Sequence, residues 1–342
     1  MRKGFLPLLL VPAGLLAQKT IELSGSPKCA DCGVRLEQVA LLGDMSQGPN
    51  RLDAGAYAID KTRKLIYLRG SSRTEIAAWG MDGKVAFTVG IRERRPQAGA
   101  LEQSFGLGAG DSLWVLDPVV QRVTVYAPGT GTSVRGFRPK FRVERIIPLK
   151  DGRFVGIASH GDKTDPALVH ILSTDGQTNV DIPATAAPGS RPVVALAKNG
   201  SLLWVAHPDG YVIDGWSLDG KKTTTVRRIA DWFSAESVAK AQKAHRTAPH
   251  IVNLAESEDG LLWLDVAKPD PTYKPATKKG AAPSGPDVVH VLEVLNLSAA
   301  KIEFADEVSV PLYRTAGDFL VQPDLHGNLA RWRVVKAKFV KR

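Results

Sequence analysis

One pattern recurs six times along this chain of 342 residues. Each copy begins at a Gly, Asp or Asn turn and continues into an apolar strand that often has an aromatic second residue. A polar loop then leads into an alternating strand. A repeat at a spacing of about 40 to 60 residues indicates an architecture built from one supersecondary unit. These apolar strands lie at 65–68, 113–117, 153–157, 203–206, 262–265 and 319–322, and each is the second strand of its copy once the short strand before the turn is counted.

Two further short strands complete each copy. Apolar segments such as 56–59, 193–196 and 251–254 precede the turns, and 85–89 follows an Asp-Gly turn. One four-stranded sheet cannot bury both of its faces alone, whereas six sheets packed face to face around an axis can. Four-stranded repeats of this spacing are typical of β-propeller blades. The sequence therefore predicts an all-β, six-bladed β-propeller.

Three segments fall outside the repeats. The strand-like segment 34–42 has no blade of its own, and we predict that it closes the ring as the outermost strand of the last blade, beside 329–335. Closure of this kind protects sheet edges. The segment 234–245 predicts one short helix with Ser234 as its N-cap. A stretch rich in Pro, Lys, Gly and Ala at 268–287 predicts a mobile loop within the fifth blade.

The N-terminal residues have the features of a secretory signal peptide. Arg2 and Lys3 form a positive start, 5–16 is apolar, and cleavage after Ala17 would leave a chain beginning at Gln18. The apolar run is shorter than the roughly 20 residues of a membrane span. We therefore expect a periplasmic or secreted protein, divided into a signal peptide at 1–17, a leader with Cys-x-x-Cys at 18–33 and a propeller domain at 34–342.

The only two cysteines of the chain are Cys29 and Cys32. In an oxidising compartment a disulfide between them is the leading interpretation. A metal site is the alternative, but it would need further ligands, because no second cysteine pair exists.

The chain resembles the six-bladed propellers of the NHL, TolB-like and strictosidine-synthase-like group. The resemblance rests on the strands at 113–117 and 262–265, which read Leu-Trp-Val-Leu-Asp and Leu-Trp-Leu-Asp, and on Asp-Gly turns at 82–83, 175–176 and 219–220. The chain is also similar to exported bacterial propellers with a Cys-x-x-Cys leader. The resemblance implies the fold and leaves the activity open, since propellers carry many unrelated functions.

Polar residues cluster in the loops that follow the second strand of several blades. Propeller topology brings equivalent loops to one face, where these residues could surround the channel mouth. Carboxylates there suit a ligand or a calcium ion, although Asp and Pro are also ordinary turn formers. No Gly-x-Ser-x-Gly or His-Glu-x-x-His motif occurs, so we predict no catalytic residue. The candidate ligand-binding residues are His160, Asp162, His207, Asp209, Asp324 and His326.

The chain is basic, with a formal net charge of +10. Its Lys and Arg residues recur in clusters, one of them spanning 135–145, and could form a positive rim for an anionic glycan, a lipid headgroup or an acidic protein. A solvated rim that aids solubility is the alternative, and we do not expect nucleic acid as a partner after export. The rim residues that we single out are Arg92, Arg94, Arg95, Arg138, Lys140 and Arg142.

Two functions remain open from the sequence. The first is an exported binding or interaction scaffold that uses the loop face and the basic rim. The second is a calcium-dependent hydrolase or lyase, similar to six-bladed lactonases, with its site at the channel mouth. Trp232, beside the predicted helix, could contact a ligand or pack the helix onto the ring. The sequence names neither the ligand nor the oligomeric state.

Overall fold

The computed structural model confirms the six-bladed β-propeller, because its strands form six separate sheets. It describes residues 18–27, 29, 31–43, 53–69, 75–90, 104–158, 167–185, 191–208, 210–243, 246–273, 287–308, 319–324 and 331–341. The sequence-based prediction of signal peptide 1–17 lies outside these residues. No helix in the described part is long and apolar enough to cross a membrane.

The strands are numbered in chain order, and the chain enters the fold through β1 (Lys19–Leu23) and β2 (Cys32–Leu42). Blade 1 contains β3 (Asp53–Asp60), β4 (Leu65–Arg69), β5 (Glu75–Gly80) and β6 (Val85–Gly90). Blade 2 contains β7 (Ser104–Leu107), β8 (Leu113–Asp117), β9 (Arg122–Tyr126) and β10 (Ser133–Phe137). Blade 3 contains β11 (Arg145–Pro148), β12 (Phe154–Ile157), β13 (Val169–Leu172) and β14 (Asn179–Ile182).

Blade 4 contains β15 (Val194–Leu196), β16 (Leu202–Ala206), β17 (Val212–Ser217) and β18 (Lys222–Arg228). Blade 5 contains β19 (His250–Glu256), β20 (Leu262–Pro269), β21 (Val288–Asn296) and β22 (Lys301–Val308). In blade 6 the described strands are β23 (Phe319–Asp324) and β24 (Arg331–Lys341), with β2 at the outer edge.

The core lies between the blades rather than within one of them. Among the described residues, buried hydrophobic side chains form six clusters, and each cluster lies between two neighbouring blades around the ring. The second strands contribute most deeply, since every residue of β8 and β12 is buried. Strands buried on both faces explain why these segments read as continuous apolar runs in the sequence rather than as alternating ones.

Ring closure by the N-terminal segment is confirmed. β2 pairs with β24 in antiparallel register, with Gln38 opposite Val335 and Leu42 opposite Trp332. Its side chain at Leu42 is fully buried in the cluster between blades 6 and 1. One sheet is thus completed by residues from both ends of the propeller domain.

A second N-terminal strand, β1, was not predicted. It adds to the outer edge of blade 4, where it runs parallel to β18 with Glu22 opposite Arg227. Ile21 and Leu23 are buried in the cluster between blades 4 and 5. The predicted disulfide between Cys29 and Cys32 forms, and it lies between β1 and the body of β2.

The predicted helix is α1 (Ala235–Lys243), which follows blade 4. Ser234 caps it, since its Oγ accepts from the Ser237 backbone N–H at 3.2 Å while the Ser237 hydroxyl accepts from the Ser234 N–H at 2.8 Å. Trp232 packs its ring against Tyr211 and Phe233. These contacts support the packing role for Trp232. In the predicted loop 268–287, β20 extends to Pro269, and 274–286 lie outside the described residues.

The two faces of the ring follow from the strand order. We use the term upper face for the face of the ring at which the first strand of each blade begins and the second strand ends. The lower face carries the turns from first to second strands and from third to fourth strands.

Candidate anion site at the upper face

His207 is the predicted site residue whose side chain the structure describes. It follows β16 at the upper face, and its ring Nε2 lies 2.8 Å from Oδ2 of Asp214 in β17. Asp324 ends β23 at the same face. The strand before His160 and Asp162, β12, also ends there. The residues that lie outside the described part of the chain are His160, Asp162, Asp209 and His326.

Asp214 holds His207 in place. Its side chain is 5% exposed, and its Oδ1 accepts a hydrogen bond from the Thr225 hydroxyl at 2.6 Å. Burial raises the pKa of Asp214, but the hydrogen bonds from Thr225 and His207 and the charge of Lys222 outweigh it and lower that pKa. The ring of His207 is partly exposed, and the carboxylate of Asp214 occupies its Nε2.

Two arginines lie at the boundary between blades 3 and 4. Arg145 is the first residue of β11, and Arg191 precedes β15. Nε of Arg191 lies 4.0 Å from Oε2 of Glu144, at the limit of an ion pair. Among the described residues, the guanidinium of Arg145 has no hydrogen-bond or ion-pair partner. Burial lowers the pKa of Arg145, and the positive charge of Arg191 lowers it further, but a guanidinium remains charged.

Backbone register brings these side chains together. The Ala206 N–H donates to the Val193 carbonyl at 3.0 Å, so the chain before β15 runs beside the end of β16 and His207. Alternation along β11 puts Arg145 on the face of Ile147, which packs in the cluster between blades 3 and 4. We define the mouth site as Glu144, Arg145, Arg191 and His207.

Sequence reasoning found His207 and missed the other three residues. Arg145 was counted with the basic cluster at 135–145, yet it lies in the innermost strand of blade 3 rather than on the outer rim. The sequence signal for Arg145 was its position at the start of the short strand that leads to the Asp-Gly turn at 151–152. A charged residue at the start of an innermost strand must lie near the channel.

The structure describes three of the six residues of the predicted basic rim. Arg138, Lys140 and Arg142 are exposed in the connection between β10 and β11, on the outside of blades 2 and 3. Arg92, Arg94 and Arg95 lie outside the described residues. In the described part of the chain, no group of three or more His, Cys, Asp or Glu side chains could hold a metal ion.

The fold and the mouth site define a six-bladed β-propeller with a cationic group at the edge of its channel. No family model matches the chain, and no curated protein matches its sequence. Solved structures match the fold. A "putative exported protein" of Bacteroides fragilis has a TM-score of 0.60 at 10% identity, covering 95% of this chain and 100% of its own.

Two further structures are similar. A member of the DUF4221 family from Bacteroides vulgatus has a TM-score of 0.55 at 11% identity, covering 90% of this chain and 99% of its own. Hydrazine synthase of Kuenenia stuttgartiensis has a TM-score of 0.51 at 11% identity, covering 78% of this chain and 72% of its own. At these identities the likeness extends to the fold alone.

Proposed function

We propose that this protein is an exported binding scaffold that takes an anionic ligand at the mouth site between blades 3 and 4. The observation that carries the proposal is the guanidinium of Arg145, which is half-buried beside Arg191 and has no acidic partner among the described residues. A half-buried cation is stabilised when an anion binds it. Two neighbouring guanidiniums suit carboxylate, sulfate or phosphate groups, which they bind in bidentate fashion.

His207 adds a directional contact to this site. Its Nε2 is held by Asp214, so Nδ1 is oriented for a hydrogen bond with a ligand. The predicted loop residues His160, Asp162 and Asp209 follow β12 and β16, the two strands that end at this boundary. They are the further ligand contacts in the proposal, with Asp324 and His326 on blade 6.

Export and the basic rim complete the proposal. The signal-like residues 1–17 support export, as does the disulfide at Cys29 and Cys32, which is stable in an oxidising compartment. The name of the Bacteroides fragilis protein points the same way. The exposed Arg138, Lys140 and Arg142 would attract anionic ligands over a distance of about 10 Å at ordinary salt.

Isothermal titration calorimetry tests the mouth site. The probes are inorganic sulfate, inorganic phosphate, citrate and a galacturonate oligosaccharide, each titrated into the mature protein at low salt. Arg145→Met should weaken the tightest of these by about tenfold or more, since one charge-assisted hydrogen bond is worth roughly 1.4 kcal/mol or more. Lys61→Met, on the lower face, is the matched control and should leave the affinity unchanged. Equal affinities for wild type and Arg145→Met would exclude the site.

The calcium-dependent alternative has a separate test. Elemental analysis of the protein, purified without chelator, would favour a hydrolase or lyase if it gave about one calcium per chain together with turnover of a lactone or ester. A metal-free protein that binds the anionic probes would favour the scaffold.

A further inference from the structure

The outer edge of blade 2 is an open strand. β10 pairs with β9, and outside β9 no described residue hydrogen-bonds to the backbone of 133–137. Four of its five residues are exposed, including Val134 at 58%. An open edge of this kind is a template for pairing with another extended chain.

The surroundings of this edge are cationic. Arg135 lies over the Trp114 ring at 4.8 Å and over Phe137 at 5.4 Å, and its Nη1 donates to the Thr174 carbonyl of blade 3 at 3.2 Å. These contacts hold its guanidinium against the face of blade 2. Lys140 lies over Phe141 at 5.1 Å. Among the described residues none of the nearby cations forms an ion pair with a carboxylate. These cations are Arg122, Arg135, Arg138, Lys140 and Arg142.

Other outer strands differ in charge. β6 has the sequence Val-Ala-Phe-Thr-Val-Gly and contains no charged residue. β14 contains one acidic residue, Asp181, and no basic one. β22 contains Glu303, Asp306 and Glu307 against one lysine. Of these four edges, β10 is therefore the cationic one.

The molecule itself shows how such an edge is filled. On blade 4, β1 adds in parallel to β18, which begins with Lys222 and ends with two arginines. Glu22 of β1 lies opposite Arg227. An extended segment with one acidic and one basic residue thus covers the basic edge of blade 4, with its acidic residue opposite an arginine. The basic edge of blade 2 has no such cover among the described residues.

We propose that β10 binds an acidic, extended polypeptide segment, which adds to blade 2 as a further strand. The charges favour an acidic partner. The open backbone N–H and C=O groups favour a polypeptide over an acidic glycan, because a strand can satisfy those groups in a regular ladder. The surface lies outside the mouth site, so the proposal does not depend on the proposed function.

Fluorescence anisotropy with designed peptides tests strand addition. The probe is a labelled octapeptide of alternating Glu and Thr, together with two versions that are N-methylated at the odd or at the even amides. An added strand hydrogen-bonds to its neighbour through every second amide. One N-methylated peptide should therefore lose about tenfold or more in affinity, and the other should bind like the parent. Equal binding of the two methylated peptides would overturn the proposal.

Charge reversal tests whether the peptide binds at β10. Arg135→Glu combined with Arg138→Glu should abolish peptide binding. Lys240→Glu combined with Lys243→Glu, on the exposed side of α1, makes the same change in net charge and should leave binding intact. Equal losses in the two double variants would show attraction by net charge alone. Tighter binding of sulfated dextran, with no difference between the methylated peptides, would show a polyanion surface. Either result contradicts strand addition.

Discussion

On the lower face, charged side chains link one blade to the next, whereas at the upper face Arg145 has no partner among the described residues. Arg63 of blade 1 lies 3.5 Å from Asp111 of blade 2. The same carboxylate lies 3.0 Å from Nζ of Lys150 in blade 3. Three blades are thus joined through one aspartate.

The links continue around the lower face. Arg153 of blade 3 donates to the Leu218 carbonyl of blade 4 at 3.2 Å, and Lys198 of blade 4 donates to the Glu258 carbonyl of blade 5 at 3.0 Å. Lys61 of blade 1 pairs with the side chain of Glu258 and lies over the Phe319 ring of blade 6 at 5.6 Å. The chain of contacts therefore returns to its starting blade.

This difference separates structural charges from charges that are available for binding. Paired charges on the lower face satisfy one another and leave little for a ligand. A half-buried cation with no partner lowers stability, and proteins accept such a cost at functional sites. Four variants test this difference between the two faces, and their effects on stability decrease in the order given.

Asp214→Ala should have the largest effect. The side chain is buried, and its loss leaves Thr225, His207 and Lys222 without their shared acceptor. We expect the free energy of unfolding to fall by about 2 to 3 kcal/mol in urea denaturation, since the partners of a deleted buried group are left unsatisfied. Asp219→Ala, in the exposed turn of the same blade, should change it by less than about 0.5 kcal/mol. Equal losses of stability in the two variants would show that Asp214 does not support His207.

Arg145→Met should act in the opposite direction. The variant removes a half-buried charge that is repelled by Arg191 and keeps an unbranched apolar side chain. The free energy of unfolding should rise by about 0.5 to 1 kcal/mol while anion affinity falls. Lys150→Met on the lower face is the control and should lower stability, because it breaks the contact with Asp111. A loss of stability in Arg145→Met would place this arginine with the structural charges.

The sequence predicts the parts of the fold that belong to a repeat, and also the segments that remain outside every repeat. Segment 34–42 was assignable because it alternates and has no blade, and Ser234 because it precedes a helical segment. β1 was missed because five residues carry too little alternation to distinguish a strand from a leader. Arg145 and Arg191 are 46 residues apart in sequence and meet only because two blade connections reach the same boundary. A single sequence does not show which charges the topology leaves unpaired.

Asp111 makes the stability that the ion pairs of the lower face provide sensitive to acid. The hydrogen bond from Lys150 lowers the pKa of Asp111, and Thr62 and Arg63 lower it further against the opposing effect of burial. A carboxyl with a lower pKa in the folded state stabilises the fold above its unfolded pKa, and this stabilisation is lost as the pH falls through the folded pKa. Wild type should therefore exceed Asp111→Asn in stability near neutral pH, and the difference should vanish in strong acid. A constant difference across this range would contradict the lowered pKa.

Lys61→Met should have the smallest effect, although its pair with Glu258 completes the chain of contacts on the lower face. Both side chains are more than half exposed, and pairs of this kind contribute about 0 to 1 kcal/mol, which salt reduces. We expect a loss below about 0.5 kcal/mol in urea denaturation at low salt and none at roughly 1 M salt. Glu258→Gln should behave in the same way, and the double variant should lose no more than either single one, because one interaction is removed in all three. A much larger loss would mean that the lower face acts as one cooperative network, since the removal of one link would then weaken the others.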